Sequence, residues 1–236
     1  MRFQVLSFDC YGTLIDWDTG IGHWLEAWGS FKGLAVAPDD LLEDFASYQR
    51  AEQMKVPFQH YRTVLANALL SLGAQCGVEV FDGEADEFAA TASTWPPFGD
   101  SVAALKELKR QGRKLAVISN VDNDLFFGTQ GLLGNPFDIV ITAQDVQSYK
   151  PEPPHFEALR AALAGEGIEE EALLHVARSQ FHDIATANAL GWANCWVDRR
   201  HDKGNRGVGL PSDAESMWTA TSMKGVVDLL AEIDPA

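Results

Sequence analysis

The sequence predicts an α/β protein built on a doubly wound parallel sheet, with a helical unit inserted after the first strand. Three observations lead there. The apolar run at residues 5–8 ends on a carboxylate, Asp9, and leaves through a Gly12-Thr13 turn. Residues 17–93 carry helical periodicity and no strand-like run. From Trp95-Pro96-Pro97 onward, short apolar segments alternate with amphipathic ones, the pattern of strands covered on both faces by helices.

The first strand delivers Asp9 to its carboxyl end, where open α/β sheets bind ligands. Gly12 lets the chain turn back beside that carboxylate, since glycine adopts unusual dihedrals at little cost. The plainer alternative is that Asp9 caps the turn. In the helical unit, Asp39-Asp40 is placed to cap a helix bearing Leu41, Leu42, Phe45 and Tyr48. A second helix follows Pro57, with Tyr61, Val64, Leu65, Ala68, Leu69 and Leu72 at spacings of three and four. A third carries Ala85, Phe88, Ala89 and Ala92. Next, Asp100 is placed to cap a helix with Val102, Leu105 and Leu108, which Gly112 ends.

Strands are expected at residues 114–118, 138–141, 173–177 and 193–197, with a helix near 122–130. Residues 199–211 read as a polar surface loop. Their Gly204-Asn205-Arg206-Gly207-Val208-Gly209 run follows no strand, so it is no phosphate-binding fingerprint. A last helix at 223–233 covers a sheet face. The division expected is a Rossmann-like core from residues 1–14 and 96–236, and a helical unit from 15–95.

Composition narrows the function classes. With 46% hydrophobic residues, seven Trp and thirteen Phe, the 236-residue chain has ample material for a core. A formal net charge of −16 repels phosphate backbones and anionic membranes, which argues against both as partners. No secretory signal and no run of about 18 apolar residues is present, so a cytoplasmic protein is expected. Cys10, Cys76 and Cys195 are odd in number and lack metal-site spacing, as in a reducing compartment. Cys10 reads as a small buried residue.

Parallel strands all point one way, so the residues that follow them converge on one pocket. Asp9 follows the first strand and Ser119-Asn120 the second; Tyr149-Lys150-Pro151 lies beyond the third. Arg178-Ser179-Gln180-Phe181-His182-Asp183 follows the fourth.

On these residues the chain resembles the haloacid dehalogenase superfamily, whose four motifs appear in order. They are Asp9-Cys10-Tyr11-Gly12-Thr13, Ser119-Asn120, Lys150-Pro151 and the Asp183 segment. The resemblance covers essentially the whole chain and makes residues 15–95 the helical cap of that fold. Most of the superfamily are magnesium-dependent phosphatases, with a second Asp two positions after the nucleophile and a metal-binding Asp four or five before the last carboxylate. Here those positions hold Tyr11, and Ser179 and Arg178. Magnesium wants carboxylate oxygens, and a guanidinium there brings the wrong charge. The Asp-x-Tyr-Gly-Thr form is instead similar to the 2-haloacid dehalogenase branch, which works without metal.

That resemblance implies a hydrolase of short 2-haloacids needing no metal and no other cofactor. Asp9 is the expected nucleophile, forming an ester that water then hydrolyses. Lys150 is the cation that keeps Asp9 ionised and positioned. Thr13 and Ser119 are orienting donors, and Asp183 is the last carboxylate, pairing with Lys150 or activating water. Tyr11, Asn120, Arg50, Arg178, Ser179 and His182 are the expected substrate-binding residues, with Arg62 as the alternative to Arg50. Tyr11, Trp17 and Trp24 offer an apolar wall, although core packing also accounts for both Trp.

Two departures are visible: Phe156 stands where the resembled enzymes carry a functional Tyr, and Arg178-Ser179-Gln180 where they carry active Ser and Asn. The partner implied is a small halogenated carboxylate, and a homodimer is left open. The alternatives are a magnesium-dependent phosphatase or phosphonate hydrolase on the same scaffold, and a silent binding protein that retains the pocket.

Overall fold

The computed structural model describes residues 2–201 and 212–235. The glycine-containing run at 204–209, read above as a surface loop, lies outside the described residues. Strand β1, Val5–Phe8, has all four residues buried. After it come four helices with no strand between them: α1 (Trp17–Lys32), α2 (Pro38–Gln53), α3 (Tyr61–Cys76) and α4 (Asp82–Ala90), closed by a 3₁₀ turn at Thr91–Thr94. The chain then alternates through α5 (Ser101–Arg110), β2 (Lys114–Ser119), α6 (Asn123–Leu132), β3 (Ile139–Thr142), α7 (Ala143–Val146) and α8 (Pro154–Gly165). It ends with β4 (Leu173–Ala177), α9 (Ala185–Ala189), β5 (Ala193–Val197), β6 (Trp218–Ala220) and α10 (Met223–Ile233).

All six strands are parallel, in the order β3-β2-β1-β4-β5-β6. The chain winds outward on one side of β1 and then on the other, so the topological switch point lies between β1 and β4. Asp9 and Arg178 follow those two strands, and Asp9 N–H donates to Val176 O at 3.2 Å. The chain leaves for the helical segment and returns from it along one seam. Asp16 N–H donates to Pro96 O at 2.8 Å, and Phe98 N–H to Leu14 O at 3.0 Å. One continuous apolar cluster joins Phe3, Leu6 and Leu115 of the core to Leu25, Phe45, Val64 and Phe88 of the helices. The last helix buries Met223, Val226 and Leu230 in the same cluster.

Two helix caps differ from expectation. Helix α2 begins at Pro38, with Ala37 before it, so Asp39 and Asp40 sit in its first turn. There they face the positive end of the helix rather than cap it. Asp100 makes no side-chain bond to its own helix. Its Oδ2 accepts instead from Met223 N–H and Lys224 N–H, at 2.7 and 3.2 Å, and so caps α10. Its Oδ1 takes Arg199 at 2.8 Å.

The sequence did not single out helix α1 or strand β6. Glycines at 20, 22 and 29 weaken the helical signal of α1. Gly20 is there for close approach: a Cβ would lie 2.4 Å from the Trp95 ring. Strand β6 has only three residues, too few for a period to register.

Candidate functional site

A cleft of about 690 Å³, including space open to solvent, lies at the carboxyl edge of the sheet beneath α2 and α3. Its lining includes Asp9, Tyr11, Arg50, Ser119, Asn120, Lys150, Arg178, Ser179, His182 and Asp183. Ten of the eleven sequence-expected residues are thus brought together, and Thr13 stands directly behind. The turn after β1 makes this geometry. Gly12 has φ +89°, and a Cβ on it would come within 3.1 Å of the Trp17 ring nitrogen and 3.6 Å of Arg178 Cδ. Only glycine suits both the dihedral and the crowding.

At the centre, Lys150 Nζ spends its three donors on Asp9 Oδ1 (2.9 Å), Asp183 Oδ1 (2.6 Å) and Ile118 O (3.0 Å). Its side chain is 1% exposed, so this is a charge held out of water by two carboxylates. Burial lowers the Lys150 pKa, but Asp183 and Asp9 outweigh it and the net shift is upward. Thr13 Oγ1 donates to Asp9 Oδ2 at 2.6 Å and accepts from Arg178 N–H at 2.9 Å. Both oxygens of Asp9 are therefore engaged, and its carboxylate is fixed in orientation.

Asp183 is wholly buried. Burial raises its pKa, yet the Lys150 ammonium and the His175 contact hold it well below the usual carboxylate range. His175, inside β4, was missed in the sequence. Its Nε2 lies 3.2 Å from Asp183 Oδ1 and its Nδ1 2.8 Å from Ser7 Oγ. A carboxylate only accepts, so Nε2 is the donor in that pair. A polar residue in an otherwise apolar, buried strand was the signal available.

Asp183 belongs to a π turn, Gln180–Ile184, in which both Asp183 N–H and Ile184 N–H donate to Ser179 O at 3.2 Å. Asp183 is thus no helix cap. Ser179 is: its Oγ accepts from His182 N–H at 3.0 Å and lies 3.0 Å from His182 Nδ1. Burial moves the His182 pKa down, favouring the neutral ring.

The expected binding residues divide. Asn120 spends its amide on the Lys150 backbone, and so positions the lysine. Tyr11 gives its hydroxyl to Thr129 Oγ1 at 2.8 Å, leaving its ring as cleft wall. Arg50 lines the cleft, whereas Arg62 pairs with Asp124 on the surface at 2.5 Å. Trp17 lines the cleft as well, but Trp24 packs on Phe88 and Trp28. Among the described residues, neither the Arg50 nor the Arg178 guanidinium has a carboxylate within ion-pair distance. Trp17 Nε1, Gln49 Oε1, Ser119 Oγ and Asp183 Oδ2 are buried without a partner and belong to cleft-lining residues. Ser119 Oγ and Trp17 Nε1 are donors left for a ligand's oxygens.

The neighbourhood does not fit a magnesium ion. Asp183 is already held by Lys150, the preceding positions are Arg178 and Ser179, and Lys150 and Arg178 bring positive charge to the place an ion would take. Cys10 is wholly buried, and burial followed by the Asp9 charge raises its thiol pKa well above the usual value.

A buried, ion-paired carboxylate at the switch point of a doubly wound sheet, with the inserted helices beside it, defines an α/β fold that meets its ligand at the carboxyl edge of the sheet. Residues 3–191 match the family described as haloacid dehalogenase-like hydrolase, and the chain belongs to that family. It is 27% identical over 228 residues to an (S)-2-haloacid dehalogenase of Pseudomonas sp. (strain YL), covering 95% of this chain and 93% of that one. It is 34% identical over 206 residues to the haloacid dehalogenase-like hydrolase domain-containing protein 3 of Bos taurus, covering 81% and 80%. The fold matches that of the L-2-haloacid dehalogenase from Xanthobacter autotrophicus with chloropropionic acid covalently bound. The TM-score is 0.79 at 18% identity, over 98% of this chain and 99% of that one. Among the described residues no helix is long and apolar enough to cross a membrane.

Proposed function

We propose that this chain is a hydrolytic dehalogenase of short 2-haloacids, working without a metal ion, with Asp9 as nucleophile. The observation that carries this reading is the make-up of the cleft. Its lining carboxylates are Asp9 and the wholly buried Asp183, and two guanidiniums that have no carboxylate partner among the described residues, Arg50 and Arg178, line the same space. That balance suits a small monoanion whose leaving group departs as a second anion. A halide leaves without a proton, so a tyrosine with a committed hydroxyl at position 11 is no handicap. The 2-haloacid dehalogenases among the relatives support the same substrate class.

In the first step Asp9 attacks the α-carbon in line and the carbon–halogen bond breaks, giving an aspartyl ester and halide. Lys150 and Thr13 hold the attacking carboxylate. Ser119 and the two arginines receive the substrate carboxylate and the departing halide. In the second step water cleaves the ester. Residues 15–95 are the unit that closes over the site and keeps water from competing earlier.

Halide release from a panel of 2-halogenated acids, with and without EDTA, tests this reading. Wild type is expected to release halide equally in both, and Asp9→Asn to release none while keeping its melting temperature. Turnover that is lost to EDTA and restored by magnesium selects the phosphatase reading instead.

A further inference from the structure

We infer that the 2-haloacid taken by this cleft carries a hydroxyl on its third carbon, recognised by Gln49 and Tyr61; the inference rests on the dehalogenase reading above and narrows its substrate class. Gln49 stands on the buried face of α2, one turn after Phe45 and two after Leu41, where the stripe calls for another apolar residue. It is 4% exposed and lines the cleft together with Tyr61 and Asp9. Its Nε2 donates to the Tyr61 hydroxyl at 3.0 Å, and its Oε1 is buried with no partner among the described residues.

The pair is fixed next to the nucleophile's own turn. Tyr61 opens α3, and its N–H is held by Asp122 at 2.9 Å. Its ring lies beside that of Tyr11, two positions after Asp9, with the centroids 6.4 Å apart. The third carbon is the first part of a 2-haloacid that neither the reaction nor the carboxylate occupies, and it is the part free to turn toward this wall.

The unmet needs of the pair select the group. Burial pushes the Tyr61 pKa up, so its hydroxyl keeps its proton, and among the described residues that proton has no acceptor. A ligand hydroxyl donates to Gln49 Oε1 and accepts from Tyr61. With the amide turned over, Tyr61 donates to Oε1 and Nε2 donates to the same ligand hydroxyl. A hydroxyl therefore serves either setting, whereas an alkyl tail serves neither and leaves a buried amide unpaired. An ammonium would also donate, but Arg50 and Arg178 line the same cleft and repel a cation.

Halide release from 2-chloro-3-hydroxypropionate and from 2-chlorobutyrate, each less its enzyme-free rate, tests the inference. The two acids are matched in size and differ by a hydroxyl against a methyl. In wild type, kcat/KM is expected to favour the hydroxy acid by about 10-fold or more. Gln49→Leu should bring that ratio to one or below, and Tyr61→Phe should lower it. Calorimetric binding of the products, 2,3-dihydroxypropionate and 2-hydroxybutyrate, to wild type should keep the same order, a reading that needs neither turnover nor a folded variant. A wild-type ratio near one, equal product affinities, or a ratio retained in folded Gln49→Leu overturns the inference while halide release leaves the dehalogenase reading standing. If wild type releases halide from neither acid nor from 2-chloropropionate, the dehalogenase reading itself fails and this inference with it.

Discussion

Asn120 grips the backbone of Lys150 from both sides: its Oδ1 accepts Lys150 N–H at 2.7 Å and its Nδ2 donates to Lys150 O at 3.1 Å. The residue just after β2 thereby fixes the register of the loop beyond β3, and the ammonium arrives between Asp9 and Asp183 with its backbone already set. Removing that ammonium leaves two carboxylates buried against each other. Lys150→Met is expected to abolish halide release and to cost about 3–5 kcal/mol of stability, read from urea unfolding.

Asp183 gives the fold an acid limit. Burial opposes its ionisation, but Lys150 and His175 prevail, and its folded pKa lies below the unfolded one. Between those values the unfolded chain binds more protons, so stability rises with pH. The contribution is complete above the unfolded carboxylate value of about 4 and is lost as pH falls through the folded value. The urea midpoint should drop from about pH 5 to about pH 3, and drop less in Asp183→Asn.

His175 touches the site only through Asp183. His175→Gln is expected to lower kcat by about 10- to 100-fold through misplacement of that carboxylate, with KM nearly unchanged. A change confined to melting temperature would make it a packing residue.

Among the described residues Arg50 and Arg178 have no carboxylate partner, and they share the cleft with Asp9, whereas Arg62 holds Asp124 in an exposed pair. Replacing Arg50 or Arg178 by Ala should cost about 1.5–3 kcal/mol in kcat/KM, the worth of a charged hydrogen bond. Arg62→Ala should leave kcat/KM as it is.

Asp122, in the core loop before α6, caps a helix of the other unit. Its carboxylate accepts from Tyr61 N–H at 2.9 Å and Arg62 N–H at 2.8 Å, the first amides of α3. Asp122→Ala should cost about 1–2 kcal/mol by thermal unfolding and raise KM as the helices over the cleft lose their anchor.

Strand-end chemistry was legible because a parallel sheet delivers every strand to one edge, which is how Asp9, Ser119 and Lys150 were found. A short-range signal misled at Asp100, which stands beside one helix start and caps α10 far away in sequence. Asp122, given no role in the sequence, likewise caps a distant helix. His175 and Ser7 were hidden inside apolar strands, where periodicity counts only their hydrophobic neighbours. Helix α1 was veiled by three glycines, of which Gly20 has a tertiary reason, its contact with Trp95.

The π turn at Gln180–Ile184 closes its hydrogen bond over one residue more than an α-helix does. Ser179 O accepts from both Asp183 and Ile184, so the four- and five-residue spacings are closed on one carbonyl. In evolutionary terms, the loss of a single codon there would reset the helix phase and exchange the group presented beside Asp9. A chain with this turn has a one-step route between a site edged by a guanidinium and one edged by a different side chain, with the sheet beneath it untouched.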